Sequence, residues 1–287
     1  MLFAPECEPC IRRQVQEALE LLQVEEKSAA KITRATENLF GRLDEFNDGL
    51  EFAAAVHHKI AEMTGTGDVY KNMKDASTRQ ALALFPQVKE AVERQDKPLL
   101  AALKVAAAGN IVDAGAVGLK IPIAEVVQAA IAEPFGRDDS ARLIEELVDA
   151  ETILFIGDNA GETVFDRLLL EIIFQQLGRK RVYYAVKSAP IINDATAGDA
   201  EAAGLDKVAE IFDLGAALPG MVYDRTNPKF KHRFAGADIV ISKGQGNFEG
   251  REGLTRRPVY YLLRVKCGPN ARALSVTPGT QVLVRLP

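Results

Sequence analysis

The sequence predicts two units: an N-terminal helical domain over residues 1–150, and a C-terminal three-layer α/β/α Rossmann-like unit over residues 151–287 with a mostly parallel sheet. Two changes in pattern carry this. Up to Ala150 apolar residues recur every three or four positions, and beyond it short runs rich in Val, Ile, Phe and Tyr alternate with helical segments. Length agrees, since 287 residues exceed the usual size of a single core.

The helical half begins near Cys10. Ile11, Val15, Ala18, Leu19 and Leu22 share one face, with Arg12, Arg13, Gln16 and Glu20 on the other. Similar spacing predicts helices over 28–41, 50–63, 76–94, 98–108 and 122–132. Breaker-rich segments at 64–68, 96–98 and 133–136 separate them. No β-branched run of strand type stands out before Ala150. After it, six runs read as strands: Thr152–Gly157, Arg181–Lys187, Ala209–Leu214, Asp238–Lys243, Pro258–Val265 and Gln281–Leu286. Helices are expected between them, notably over Glu162–Leu177 and Asp194–Gly204. In such sheets ligands bind beyond the carboxyl ends of the strands.

Composition narrows the function classes. Hydrophobic content of 47% with 26% charged residues is ordinary for a globular protein. A net charge of −5 and a pI near 5.5 give no electrostatic case for nucleic acid. No run of 18 apolar residues is present, and MLFAPECEPC lacks the basic start and apolar stretch of a signal peptide. Three cysteines do not make a disulfide framework. The expectation is a reduced, cytoplasmic protein without a membrane partner.

Three polar loops follow predicted strands. Gly157-Asp158-Asn159-Ala160-Gly161-Glu162 sets a carboxylate beside an amide, hard oxygen ligands suited to Mg²⁺ or Mn²⁺. Gly161 lets a backbone amide approach a ligand at a helix N-terminus. The second loop, Ser188 to Thr196, carries Asp194, and adjacent parallel strands would bring it near Asp158. For both loops the alternative is an Asx turn or a helix cap. The third, Lys243-Gly244-Gln245-Gly246-Asn247, offers an ammonium and backbone amides to a phosphate, or else is a flexible loop with a solvated lysine. No P-loop, G-x-S-x-G or Ser/His/Asp arrangement is visible.

These loops resemble those of the damage-control phosphatase family, long known as domain of unknown function 89. The match runs through Gly157–Glu162, Pro190–Thr196 and Ser242–Glu249. It continues into Gly109-Asn110-Ile111-Val112-Asp113, Gly67-Asp68-Val69-Tyr70 with Lys74, and Leu263–Cys267. Cys7-Glu8-Pro9-Cys10 resembles the opening of a prokaryotic, CxxC-containing branch. Val69 stands where the family has proline. The resemblance implies hydrolysis of phosphate monoesters of small metabolites, such as sugar phosphates, in an interdomain cleft. A divalent ion (Mg, Mn, Co or Ni) would sit on Asp158, Asn159 and Asp194. Lys243, Asn247 and Asn110 would line the phosphate site together with the amides of Gly161 and Gly244. Asp194 or Asp113 would accept the proton of the attacking water, and Asp158 would serve catalysis through the metal. One branch is also described as a carboxyl methyltransferase, which on this chain would use S-adenosylmethionine. A non-catalytic phosphate-binding module is the third reading.

Cys7 and Cys10 either pack at a helix start or, with Cys267 and a histidine, hold a second metal. His57 and His58 point about 100° apart on one helix, which argues against a shared ion.

Overall fold

The computed structural model describes residues 4–108, 123–251 and 257–287. Asn110 and Asp113 lie outside them.

The first part of the chain is helical, as its periodicity predicts: α1 (Cys7–Leu21), α2 (Glu26–Phe40), α3 (Gly49–Thr64), α4 (Lys71–Glu93), α5 (Pro98–Ala108) and α6 (Ile123–Ala132). Asp48 starts α3 by accepting from the amides of Leu50 and Glu51, and Gly65 at φ +66° ends it. A two-residue strand, β1 (Arg137–Asp138), and α7 (Ser140–Asp149) follow. No strand is predicted at β1, because two polar residues carry no periodic signal. Its pairing with β7 at the far end of the chain decides it.

Every predicted strand forms. The order continues β2 (Thr152–Ile156), α8 (Glu162–Leu177), β3 (Arg181–Val186), α9 (Ala197–Ala202), β4 (Glu210–Asp213), α10 (Pro228–Gly236), β5 (Ile239–Lys243), α11 (Gln245–Glu249), β6 (Val259–Arg264), α12 (Gly268–Leu274) and β7 (Gln281–Leu286). One sheet orders them β1-β7-β6-β5-β2-β3-β4. All neighbours are parallel except β6 and β7.

Both faces are covered, which explains why the central strands read as unbroken apolar runs. Ile153 and Phe155 face one core with Leu103 of α5 and Leu169 of α8. Leu154 and Ile156 face a second core with Phe230 of α10, Phe248 of α11 and Leu274 of α12. A third, smaller cluster joins α1, α2 and α3 around Phe52 and Ile60. The helices before residue 150 therefore divide: α1–α3 build their own core, and α4–α7 complete one face of the sheet. Among the described residues no helix is long and apolar enough to cross a membrane.

Candidate active site

From β2 the chain winds outward to β3 and β4, then returns to place β5 on the other side of β2. The loops after β2 and β5 part at this reversal and leave a crevice at the carboxyl ends of the strands. The loop after β3 is tied to the loop after β2 by backbone bonds: Ala195 N donates to Asp158 O (2.8 Å) and Ala160 N to Asn193 O (2.9 Å). Asn159 and Asp194 pair as an isolated antiparallel bridge. Two loops far apart in sequence thus present Asp158, Asn159 and Asp194 side by side.

None of the three is spent on capping. Helix α8 has Gly161 at its cap position, with no side-chain bond. Helix α9 is capped by Thr196, in a reciprocal box with Asp199. Asp194 is therefore not the cap of α9; its own amide closes a turn by donating to Ile191 O at 3.1 Å. Ile192 in the same loop has φ +45°, a left-handed conformation that costs a β-branched residue about 1–3 kcal/mol. The strain is held beside Asp194, where a fixed carboxylate position has value.

The electrostatics are those of crowded acids. Burial, then the charges of Asp194 and Glu162, push the Asp158 carboxyl up to about 8, against the opposing pull of Lys266 and Lys187. Burial also raises Asp194, while Lys187 counters it from 3.4 Å. Asp194 Oδ2 is buried and accepts no hydrogen bond. Asn159 Nδ2 donates to Asp158 Oδ2 (3.1 Å) and Glu162 Oε1 (3.0 Å). Two carboxylates and an amide are oxygen donors of the kind a hard divalent cation takes, with Lys187 Nζ 3.4 Å from Asp194 Oδ2. Among the described residues no three His, Cys, Asp or Glu side chains are arranged to hold an ion.

Lys243 is elsewhere than the loop pattern implied. Its ammonium is 1% exposed and lies 2.7 Å from Asp166 Oδ1 and 3.7 Å from Glu162 Oε2. Burial works against its charge, yet Asp166 and Glu162 hold its pKa above the ordinary lysine value. Asp166 Oδ2 also accepts from the Tyr184 hydroxyl at 2.7 Å. Asn247 is fully buried and braces the loops: its amide donates to Gly157 O and Lys243 O and its oxygen accepts from Lys187 Nζ at 2.9 Å. Neither residue lines the cavity beside Asp158 and Asp194. Gly244, at φ +79°, lets the Asp158 carboxylate lie against the backbone, since a Cβ there would land on it. Gly161, at φ +84°, does the same for α4: a Cβ would stand 2.9 Å from the Cβ of Ser77.

A cavity of about 280 Å³ opens beside Asp158, Asn159 and Asp194. Its walls include Ile11, Leu50, Ile192 and Pro219, and also Cys7, Cys10 and Cys267. Lys266, exposed just beyond β6, is the one cationic side chain among the described residues lining it. Behind the Asp194 loop, Lys74 of α4 bridges Asp68 Oδ2 (2.7 Å) and Asp199 Oδ2 (2.8 Å), joining the helical layer to the start of α9. His57 and His58 border a separate small cavity and not this one.

Sequence reading missed Lys187, Glu162, Asp166 and Lys266 as members of the site. Asp166 carried a usable signal, an acid among Val164, Phe165, Leu168 and Leu169 on a buried helix face. Lys187 sits at the end of a buried strand, where a charge needs a partner.

A family model described as the damage-control phosphatase ARMT1-like domain matches residues 3–282. The chain belongs to this family. It is 31% identical to a protein of Pyrococcus horikoshii named damage-control phosphatase, over 98% of this chain and 96% of that one. An uncharacterized protein of Methanocaldococcus jannaschii is 32% identical over 98% of this chain and 94% of its own length. An Archaeoglobus fulgidus protein named damage-control phosphatase is 30% identical over 80% of each chain. The crystal structure of the Pyrococcus horikoshii family protein superimposes with a TM-score of 0.87 at 30% identity, covering 99% of both chains. Relatives bearing this name support a phosphatase role for the family member described here.

Proposed function

We propose that this protein is a divalent-metal-dependent phosphatase acting on phosphate monoesters of small metabolites at the cavity beside β2, β3 and β5. The observation that carries the reading is the convergence of Asp158, Asn159 and Asp194, none of them used as a cap, on one cavity at the sheet's reversal. Asp158, Asn159 and Asp194 would hold the cation, which would supply Lewis acidity for phosphoryl transfer.

The rest is the work of the chain. Lys266 on the cavity wall offers a positive charge to the negative phosphate dianion. Lys187, braced by Asn247, opposes the upward push of burial on the Asp194 carboxyl. Glu162 and Asp158 fix the Asn159 amide from two sides. The Lys243–Asp166–Tyr184 set anchors β5, α8 and β3 beneath the loops. Asp194 or Asp113 takes the proton of the attacking water, and the amides of Gly161 and Gly244 stand at the two loops nearest the site. The apolar wall of Ile11, Leu50 and Pro219 receives the leaving group.

Turnover of p-nitrophenyl phosphate by Asp158→Ala and Asp194→Ala, with Mg²⁺, Mn²⁺, Co²⁺ or Ni²⁺ added in turn, tests the reading. Metal-stimulated turnover should vanish in both. Full stimulation retained in both variants would falsify the metal site.

A further inference from the structure

All three cysteines of the chain line the cavity that holds Asp158 and Asp194. Cys7 and Cys10 come from the first turn of α1, and Cys267 is the residue before α12. Each is a half-buried free thiol. Glu249 stands near enough for its charge to bear on both Cys7 and Cys267.

Thiols gathered on a wall suit either a soft metal ion or a disulfide. Among the described residues no three cysteine or other ligating side chains are arranged to hold an ion. The geometry of α1 instead suits a sulfur–sulfur bond. Residues three apart on an α-helix have Cα atoms about 5 Å apart, inside the roughly 4.4–6.8 Å that a disulfide spans. The Cβ atoms at that spacing lie about 5–6 Å apart, beyond the roughly 3.5–4.5 Å of a disulfide, so closing the bond shifts the first turn of α1. Around Cys10 the donors are placed for an anionic sulfur: Arg13 Nη2 at 3.5 Å and Gln14 Nε2 at 3.7 Å. Burial pushes the Cys7 thiol up.

We propose that Cys7 and Cys10 are a redox site: a peroxide entering the catalytic cavity converts them to a reversible disulfide that lowers turnover. The Cys10 thiolate attacks one peroxide oxygen, the O–O bond breaks, and the other oxygen leaves as hydroxide and is protonated to water. The Cys7 sulfur then displaces the hydroxyl of the resulting sulfenic acid as a second water, closing the S–S bond. Two thiols are oxidised by two electrons and one hydrogen peroxide is reduced to two waters. The bond draws Cys10 from Gln14, a neighbour on the same cavity wall, so the wall changes shape beside the substrate.

The effect on turnover rests on the phosphatase reading, whereas the disulfide does not. Wild-type protein is treated with limiting hydrogen peroxide, digested with trypsin without reduction, and weighed. The peptide ending at Arg12, which holds both cysteines, should be lighter by two hydrogens and regain them in dithiothreitol. Cys267→Ser should behave identically, and Cys7→Ser should show no such loss. Turnover of p-nitrophenyl phosphate should fall with the mass change and recover with it, while peroxide leaves the turnover of Cys7→Ser/Cys10→Ser at its own untreated level. A bond to Cys267, irreversible over-oxidation, or no mass change at stoichiometric peroxide overturns the site. A disulfide that forms with turnover unchanged overturns its regulatory effect. A wild type without any turnover condemns the phosphatase reading instead, and the mass result still decides the disulfide.

Discussion

Lys243 ends β5, and Lys266 lies just past its neighbour β6, on the same edge of the sheet. One is 1% exposed and locked between Asp166 and Glu162; the other is exposed and lines the cavity. The difference lies in what packs above them. Helix α8 brings Asp166 and Glu162 down over β5, so the fold consumes the Lys243 charge. Lys266 is exposed, and its charge pulls the Asp158 carboxyl down. A lysine at a strand end thus serves stability or ligand according to the neighbouring element, not according to its own loop.

The comparison can be broken at several points, in falling order of effect. Asp194→Ala, on the ligand side, should lower metal-dependent kcat/KM by about 10³-fold or more, near 4 kcal/mol of barrier, and should cost less stability than Lys243→Met because Lys187 keeps its bond to Asn247. Comparable loss of folding in urea would move Asp194 to the structural side. Lys243→Met, on the structural side, should destabilise by about 3–5 kcal/mol, because Asp166 is left buried without its countercharge. Urea unfolding reads this, and a loss under 1 kcal/mol would place Lys243 with the ligand.

His57 supplies a pH-dependent case of the same buried class. It is 3% exposed, its Nε2 lies 2.9 Å from Gln14 Oε1, and burial, aided by the His58 charge, lowers its pKa from 6.5 to about 4. The fold keeps the neutral ring, while the unfolded chain takes up a proton below about 6.5. Stability should therefore fall as pH drops from about 6.5 to 4, by on the order of 3 kcal/mol, and His57→Gln should flatten that slope. A slope unchanged by the substitution would sink the assignment. Smallest is Lys266→Met, which should cost about 10–100-fold in kcat/KM, near 1.4–2.7 kcal/mol, at unchanged melting temperature. Should the melting temperature fall with activity intact, the contrast between the two lysines collapses.

Much of this was legible in the residues. The six strands showed because burial on both faces demands continuous apolar runs such as Ile153–Ile156. Asp158 and Asp194 showed because polar clusters directly after such runs mark the end of the sheet where ligands bind. Less visible were the partners. Lys187 with Asn247, and Lys243 with Asp166, join residues 60 and 77 positions apart, and no local pattern encodes such distances. Strand β1 was hidden for the same reason, its only warrant being β7.

The sequence by itself determined the helical and α/β periodicities, the family, and the loops that carry the acids, since each is written in neighbouring residues. Only the tertiary structure decided which charges the fold spends on itself and which it leaves to a ligand. Burial and pairing are properties of what packs against a residue. Here α8 pairs Lys243 with Asp166 and Glu162, while Lys266 and the three thiols line the cavity.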